Sequence, residues 1–299
     1  MGLMGKKKET KPIIPVVELK GVIAPGERKG LGGSHTINID QLKGVLTKAF
    51  NTSGAVAVAL DINSPGGSPT QSELVGNKIR ELAEEKNIPV YAFAQDVAAS
   101  GGYWIACAAD EIFAAKTSTI GSIGVVNSSM GYAELAKKLG IEDRTATAGH
   151  AKRRMSPLRK VTEEDQKWLQ SRLDKMHVLF KDYISERRGE KLVIPDGMDK
   201  DTYLDQQIFT GETWFGQEAV DLGLIDGVGY IDDVLKSKFG SDVKISPVKP
   251  SMPGIFSLFS MKAREEVPEV HQKDISAGMV AEAFEVLENE AHWGHFDMR

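Results

Sequence analysis

Short runs of β-branched and other apolar residues alternate along this chain with longer runs in which apolar residues recur every three or four positions. The short runs predict buried strands, and the longer runs predict helices with one apolar face. Strands and helices in alternation are typical of a mostly parallel sheet that is covered by helices. The pattern therefore predicts an α/β fold.

The elements of this alternating pattern lie between residues 15 and 239. The predicted strands are residues 15–23, 55–62, 88–94, 111–114 and 122–126. The predicted helices are residues 41–50, 69–86, 131–140, 162–189, 213–222 and 231–239. Local signals mark some helix ends: Ser68 is a typical N-cap residue with Pro69 directly after it, and Gly189 closes the longest helix.

The two ends of the chain differ from this pattern. Residues 1–12 carry four lysines and predict a basic leader, whereas residues 13–247 hold the alternating elements and predict one α/β domain. Residues 248–299 predict an extension with spaced prolines, an apolar cluster and, at residues 275–287, an amphipathic helix. We expect this extension to pack on a neighbouring subunit or on a membrane surface.

Composition excludes several classes of protein. Of the 299 residues, 41% are hydrophobic and 26% are charged, which is typical of a globular protein with a buried core. The net charge of −5 argues against a nucleic-acid-binding protein. The single cysteine, Cys107, excludes an internal disulfide and a cysteine-rich zinc site, and the six histidines include no H-E-x-x-H pair. We therefore expect neither a metal nor another cofactor.

The location of the protein is predicted from its apolar runs. No run of about 18 apolar residues is present, so the sequence predicts no transmembrane helix. Pro15, Glu18 and Lys20 interrupt the first apolar stretch, which therefore differs from the core of a signal peptide. The sequence predicts a cytoplasmic protein, whose basic leader could contact an anionic membrane surface.

Two segments rich in glycine follow predicted strands. Residues 63–67 read Asn-Ser-Pro-Gly-Gly, and their N–H groups could bind a developing negative charge, although a simple turn explains the same residues. Ser100 and Gly101 follow another strand and open an apolar, helix-like run. Ser100 is either an exposed nucleophile beside the N–H of Gly101, or a helix cap or turn residue.

A nucleophilic serine needs a base, and no histidine lies between Ser100 and His150. Residues 149–157 offer Lys152 instead. A lysine accepts a proton only in its neutral form, which burial and distance from carboxylates favour. Residues 144–162 contain no Asp or Glu, although a solvated basic loop is the simpler explanation on local sequence alone.

Five segments, in the same order along the chain, resemble the signal peptide peptidase A (SppA/SohB-like) family of membrane-associated serine peptidases. They are residues 62–67, 99–103, 119–125, 152–157, and 209–211 together with 222–226. The resemblance covers residues 14–240. It implies the fold of ClpP and crotonase, a superhelix of βαβ units with a mostly parallel sheet, as a single domain followed by the C-terminal extension.

The resemblance also implies roles for individual residues. Ser100 would be the nucleophile and Lys152 the general base, with Ser122 orienting the lysine amine. The N–H groups of Gly67 and Gly101 would bind the oxyanion. Each site would be shared by neighbouring subunits of a closed homo-oligomeric ring of about eight. Candidate contacts between subunits are Leu169, Leu173, Met176 and Phe180 in the long helix, and Phe256, Leu258 and Phe259 in the extension.

Three functions are compatible with these residues. The first is a Ser–Lys endopeptidase that cleaves peptides such as signal-peptide remnants or unfolded and membrane-associated segments. The second is a crotonase-like acyl-CoA enzyme that uses the same glycine turns to bind a thioester oxyanion. The third is a catalytically silent scaffold for membrane partners. The presence of both Ser100 and Lys152 favours the endopeptidase.

Overall fold

The computed structural model describes residues 11–26 and 36–248, and eight strands in these ranges form one sheet. The strands are β1 (Ile13–Lys20), β2 (Val58–Ser64), β3 (Val90–Ala99), β4 (Glu111–Ala114), β5 (Thr119–Gly121), β6 (Thr213–Phe215), β7 (Gly227–Val228) and β8 (Lys244–Pro247). Their main order is β6-β5-β3-β2-β1-β8, while β4 pairs with β3 and β7. Only β5 and β6 pair in antiparallel fashion among the described strands.

Helices connect and cover these strands. They are α1 (Ile39–Phe50), α2 (Pro69–Lys86), α3 (Gly101–Ala106), α4 (Ala133–Lys138), α5 (Glu163–Arg188), α6 (Lys200–Tyr203), α7 (Gly216–Asp221) and α8 (Ile231–Phe239). Within the described ranges, every helix is too short or too polar to cross a membrane. The predicted α/β class with a mostly parallel sheet is confirmed.

The predicted helix-end signals are confirmed at α2 and α5. The side chain of Ser68 accepts a hydrogen bond from the N–H of Gln71, and Pro69 occupies the first position of α2. Thr162 caps α5 and forms a capping box with Asp165, since each side chain accepts a hydrogen bond from the other's backbone N–H. Hydrogen bonds from Thr162 also hold the pKa of Asp165 below its ordinary value.

Two predicted elements are wrong in position or type. The strand predicted at 122–126 lies at Thr119–Gly121, because Gly121 and Ser122 both have positive φ and turn the chain out of the sheet. The helix predicted at 213–222 begins instead as β6, whose threonine and aromatic residues favour a strand and pair with β5. Only Gly216–Asp221 is helical there. The edge strand β8 was not predicted from the sequence.

The core lies on both faces of the sheet. One face carries Leu19, Leu60 and Ile62, which pack with buried residues of α1, α2, α3 and α5. The opposite face carries Val16 and Tyr91 with other apolar residues, and α8 packs on it through Leu235. Helix α8 therefore covers part of this second face.

A buried ion cluster anchors the carboxyl end of α5. The side chain of Arg188 is only 2% exposed and donates to Asp226 at 2.7 Å and to the carbonyl oxygen of Gly223 at 2.7 Å. Asp226 also accepts hydrogen bonds from Lys191 and from the N–H of Ile112. Burial alone would raise the pKa of Asp226, but these hydrogen bonds and the charge of Arg188 outweigh burial and lower it.

Arg188→Met should lower the free energy of unfolding by about 3–5 kcal/mol at pH 7, because it leaves the carboxylate of Asp226 without its buried partner. Lys167→Met is the control, since the ion pair of Lys167 with Glu163 is exposed and should contribute less than about 1 kcal/mol. Urea denaturation measures both changes. Similar losses in the two variants would contradict a stabilising role for the cluster.

The same cluster predicts a dependence on acid. A carboxyl group whose pKa is lower in the folded state stabilises the fold above its unfolded pKa of about 3.9. That stabilisation is lost as the pH falls through the lower folded pKa of Asp226. The difference in unfolding free energy between the wild type and Arg188→Met should therefore shrink below about pH 4.

Candidate active site

The carboxyl ends of three strands meet at the candidate site. Ser64 of β2 pairs with Ala98 of β3, and Ala99 pairs with Gly121 of β5. Ser100 follows β3 directly and precedes the first residue of α3. Its N–H donates to the carbonyl oxygen of Gly121 at 2.8 Å, so the backbone of Ser100 is fixed to β5.

The backbone of Ser100 has an unusual conformation. Its φ of 50° and ψ of −120° lie outside the regions that residues other than glycine prefer. Such a conformation costs on the order of 1–3 kcal/mol and persists only where the surroundings impose it. The side chain of Ser100 forms no capping hydrogen bond at the start of α3. A role as a side-chain helix cap, which local sequence left open, is therefore wrong.

Glycines permit two turns to contact each other around Ser100. A Cβ atom on Gly66 would lie 2.8 Å from both the Cβ of Ser100 and the N atom of Gly101. A Cβ atom on Gly101 would lie 2.4 Å from Oγ of Ser72, and one on Gly102 would lie 2.5 Å from the carbonyl oxygen of Ser64. The turn after β2 and the turn after β3 are thus in direct backbone contact.

The two predicted oxyanion donors lie on these two turns. The N–H of Ile23 donates to the carbonyl oxygen of Gly66 and the N–H of Ser68 donates to the carbonyl oxygen of Ile23, so the hydrogen bonds of this bridge leave out the N–H of Gly67. The N–H of Gly101 lies in the first turn of α3, where amide groups have no acceptor within the helix. A peptide carbonyl could accept hydrogen bonds from N–H groups of this kind.

Ser122 lies beside the same turns. It follows Gly121, has a φ of 52°, is half-buried, and donates its N–H to the carbonyl oxygen of Glu212 at 2.7 Å. A residue that sequence reasoning missed supports this segment: Nε2 of His177, on α5, lies 3.2 Å from the carbonyl oxygen of Ile123. A carbonyl oxygen only accepts, so Nε2 carries the hydrogen. An isolated histidine on a helix gave no sequence signal for this contact.

No hydrogen bond links Lys152 to Ser100 in the described part of the chain. Lys152 lies in a 3₁₀ turn, His150–Arg153, and its side chain is exposed. It forms no hydrogen bond or ion pair with any residue of the described ranges. Lys152 differs in this from its basic neighbours, each of which forms an ion pair with a carboxylate. The pairs are Arg153 with Asp143, Arg154 with Glu164, Arg159 with Asp165, and Lys160 with Glu134.

The segment around Lys152 exposes many apolar side chains. Val126 is 82% exposed and Met130 is 66% exposed, and α4 has no buried residue. Further exposed apolar residues in this segment are Leu135, Leu139, Ile141, Leu158 and Val161. Exposed apolar residues grouped in this way are typical of an interaction surface.

Comparison with known proteins gives related sequences over most of the chain. The chain is 38% identical over 292 residues to the Na⁺/H⁺ antiporter NhaA of Brucella abortus, a match that covers 95% of this chain and 37% of that protein. It is 32% identical over 221 residues to an Enterococcus faecium protein that carries the name signal peptide peptidase SppA, covering 74% and 61% of the two chains. A Haemophilus influenzae protein with the protease name SohB is 36% identical over 181 residues, covering 60% of this chain and 48% of its own.

The chain thus spans between about a third and two thirds of the length of these relatives. Its residues 82–241 match the sequence model of peptidase family S49, which is more than half of the chain. The matched range includes Ser100, Gly101, Ser122 and Lys152. The match and the mostly parallel sheet agree with the predicted family and fold class, and the chain belongs to peptidase family S49.

Proposed function

We propose that this protein is a serine endopeptidase in which Ser100 is the nucleophile and Lys152 the general base. The backbone of Ser100 is the observation that carries the proposal. Its positive φ lies at the end of a central strand, its side chain caps no helix, and Gly66 packs against it. Strained residues of this kind cluster at active sites, where surrounding contacts hold a side chain ready to react.

The reaction uses only groups of the protein and water. Oγ of Ser100 attacks the peptide carbonyl carbon while Nζ of Lys152 accepts the hydroxyl proton. The N–H groups of Gly67 and Gly101 donate to the oxyanion, the C–N bond breaks, and the leaving amine takes the proton from Lys152. Water then attacks the acyl carbon while Lys152 accepts its proton, the bond from that carbon to Oγ of Ser100 breaks, Oγ takes the proton from Lys152, and the carboxylic acid product leaves.

The position of Ser122 supports a role in orienting the lysine. The carbonyl oxygen of Gly121, the residue before Ser122, accepts the hydrogen bond from the N–H of Ser100. This one backbone hydrogen bond places Ser122 next to Ser100. The bond from Ser122 to Glu212 fixes the other side of the turn. A hydroxyl group at this point could accept a hydrogen bond from an incoming lysine amine.

The lysine comes from a neighbouring copy of the chain in this proposal. Lys152 is exposed, and the segment that carries it also exposes Val126 and Met130. A second copy that covers this segment would bury the apolar side chains and could bring Lys152 to the neighbour's Ser100. Burial there would also favour the neutral form of the amine. In a closed ring the same contact between subunits is repeated around an axis, so the segment that carries Lys152 is buried by a neighbour in every subunit.

The substrates we propose are peptides, such as signal-peptide remnants and unfolded or membrane-associated segments. The name of the Enterococcus relative supports this class of substrate. The name of the Brucella protein supports no second function, because the chain matches only 37% of that protein. An acyl-CoA enzyme of the crotonase type would not require a nucleophilic serine, and a silent scaffold would require neither Ser100 nor Lys152.

Ser100→Ala and Lys152→Ala should each abolish peptide hydrolysis, because both residues act in one catalytic unit. A mixture of the two variants that exchanges subunits should recover up to about one quarter of the wild-type activity, since half of the serines and half of the lysines are intact. Hydrolysis of a fluorogenic peptide measures the recovery.

The control for this mixture is Lys160→Ala, which removes another exposed lysine near the same segment and should keep full activity. Mixed oligomers that form, as shown by two affinity tags, and yet stay inactive would place both catalytic residues in one chain. Loss of activity in the control would show that charge in this segment matters rather than Lys152 itself.

Gly66→Ala should slow peptide hydrolysis by about 100-fold, because the added methyl group would displace Ser100 and Gly101. Gly54→Ala is the matched control: Gly54 also has a positive φ, of 79°, but a Cβ there would meet nothing within 4 Å. Alanine at either position is strained by the positive φ, but only Gly66→Ala places a methyl group against Ser100 and Gly101. Equal rates in the two variants would contradict the importance of the glycine contact.

Ser122→Ala should lower kcat/KM by about tenfold, which corresponds to one hydrogen bond of about 1.4 kcal/mol to the lysine amine. Ser171→Ala, at an exposed position of α5, should leave kcat/KM unchanged. Urea denaturation of both variants shows whether the fold is intact. An unchanged kcat/KM for Ser122→Ala would remove Ser122 from the catalytic unit.

A further inference from the structure

The segment that carries Lys152 has no apolar core of its own. Between Ile123 and Asp165 every residue is exposed or half-buried. The next buried residue along the chain is Asp165 in the first turn of α5, where its side chain is only 4% exposed. Burial of apolar side chains therefore does not fix the backbone of this segment within one chain, and polar contacts must do so.

The side chain of Arg159 joins the turn of Lys152 to this buried carboxylate. Its Nη2 group donates to Oδ2 of Asp165, and its Nε group donates to the carbonyl oxygen of Arg153 at 2.8 Å. Arg153 is the last residue of the 3₁₀ turn and follows Lys152 directly. One planar guanidinium group thus connects the turn to the start of α5.

The backbone between the turn and Arg159 is also constrained. The N–H of Ser156 donates to the carbonyl oxygen of Arg153, and the N–H of Arg159 donates to that of Ser156. Between them Met155 has a φ of 58°, which is uncommon for a residue other than glycine and persists where surrounding contacts impose it. The side chain of Arg159 closes this loop, because it returns to Arg153.

A second arginine also lies against the start of α5. The guanidinium group of Arg154 lies 5.5 Å from the centre of the Trp168 ring and donates to Glu164, and its Nε atom lies 3.9 Å from Oδ1 of Asp165. These contacts of Arg154 are with side chains. Arg159 differs, because it donates to the main chain of the turn as well as to Asp165. Arg159 is therefore the side chain best placed to fix the backbone beside Lys152.

We propose that Arg159 is a positioning residue for Lys152 and acts through its hydrogen bonds to Asp165 and to Arg153. The proposal rests on the role of general base proposed above for Lys152. A base must come within about 2.6–3.2 Å of the hydroxyl group whose proton it accepts. A displacement of about 1 Å can slow a reaction by about 100-fold, so a turn that moves freely would separate the amine from its target.

Arg159→Met, which removes both hydrogen bonds, should lower kcat for a fluorogenic peptide by about tenfold or more with little change in KM, because the base acts in the chemical step. Arg144→Met is the matched control, since Arg144 lies in the same segment, is 83% exposed and pairs with Glu142. It should keep the wild-type kcat. Asp165→Asn, which keeps an oxygen to cap α5 but loses the charge, is a second variant and should lower kcat in the same way. An unchanged kcat in Arg159→Met would overturn the proposal.

Amide hydrogen exchange of the full-length protein separates this proposal from the role of Lys152. The N–H groups of Arg154 and Ser156 donate to carbonyl oxygens of the turn, and they should exchange about tenfold faster in Arg159→Met than in the wild type or in Arg144→Met. Exchange does not depend on catalysis. Full activity of Lys152→Ala would therefore contradict the proposed base alone, whereas unchanged exchange in Arg159→Met would overturn the contact that positions it.

The mixture of inactive variants shows on which chain Arg159 acts. Adding Arg159→Met to the Ser100→Ala chain, which supplies Lys152, should lower the recovered activity by about tenfold or more. Adding it to the Lys152→Ala chain, which supplies Ser100, should leave the recovery unchanged. Equal losses from the two placements would assign Arg159 to folding or assembly and would overturn the positioning role.

Discussion

The candidate site depends on direct backbone contact between two turns, one after β2 and one after β3. Gly66, Gly101 and Gly102 leave no room for side chains between them. Protein interiors are close-packed, so even one methyl group would separate the turns. The contact, together with the hydrogen bond to Gly121, holds Ser100 at a φ that a serine in an unconstrained turn seldom adopts.

Helix α5 connects this constraint to the rest of the proposed mechanism. Its carboxyl half is fixed to α3 and the residues after it, because Phe180 and Tyr183 pack on Trp104 and Arg187 donates to the carbonyl oxygens of Cys107 and Ala109. Its amino half follows the exposed segment that carries Lys152. One helix thus packs beside the helix that follows Ser100 and also follows the exposed segment of Lys152, which the proposed shared site would require.

Much of the fold could be predicted from the sequence, and the failures have physical causes. Helix α2 could be located because Ser68 and Pro69 mark its start. The strand near 119–125 was misplaced because the positive φ of Gly121 and Ser122 is not visible in hydrophobic periodicity. Strand β6 depends on pairing with β5, a long-range contact that local residues do not specify.

The candidate site was predictable in part. Local sequence left Ser100 as a nucleophile, a helix cap or a turn residue, and the structure excludes the side-chain cap. Local sequence offered Lys152 and the N–H of Gly101 as candidates, and the resemblance added Ser122 and the pairing of Gly67 with Gly101. The most direct test treats the full-length protein with a serine-reactive phosphonate and locates the adduct by mass spectrometry. We expect one modified residue, Ser100, whereas an unmodified Ser100 or an adduct on another serine would contradict the account.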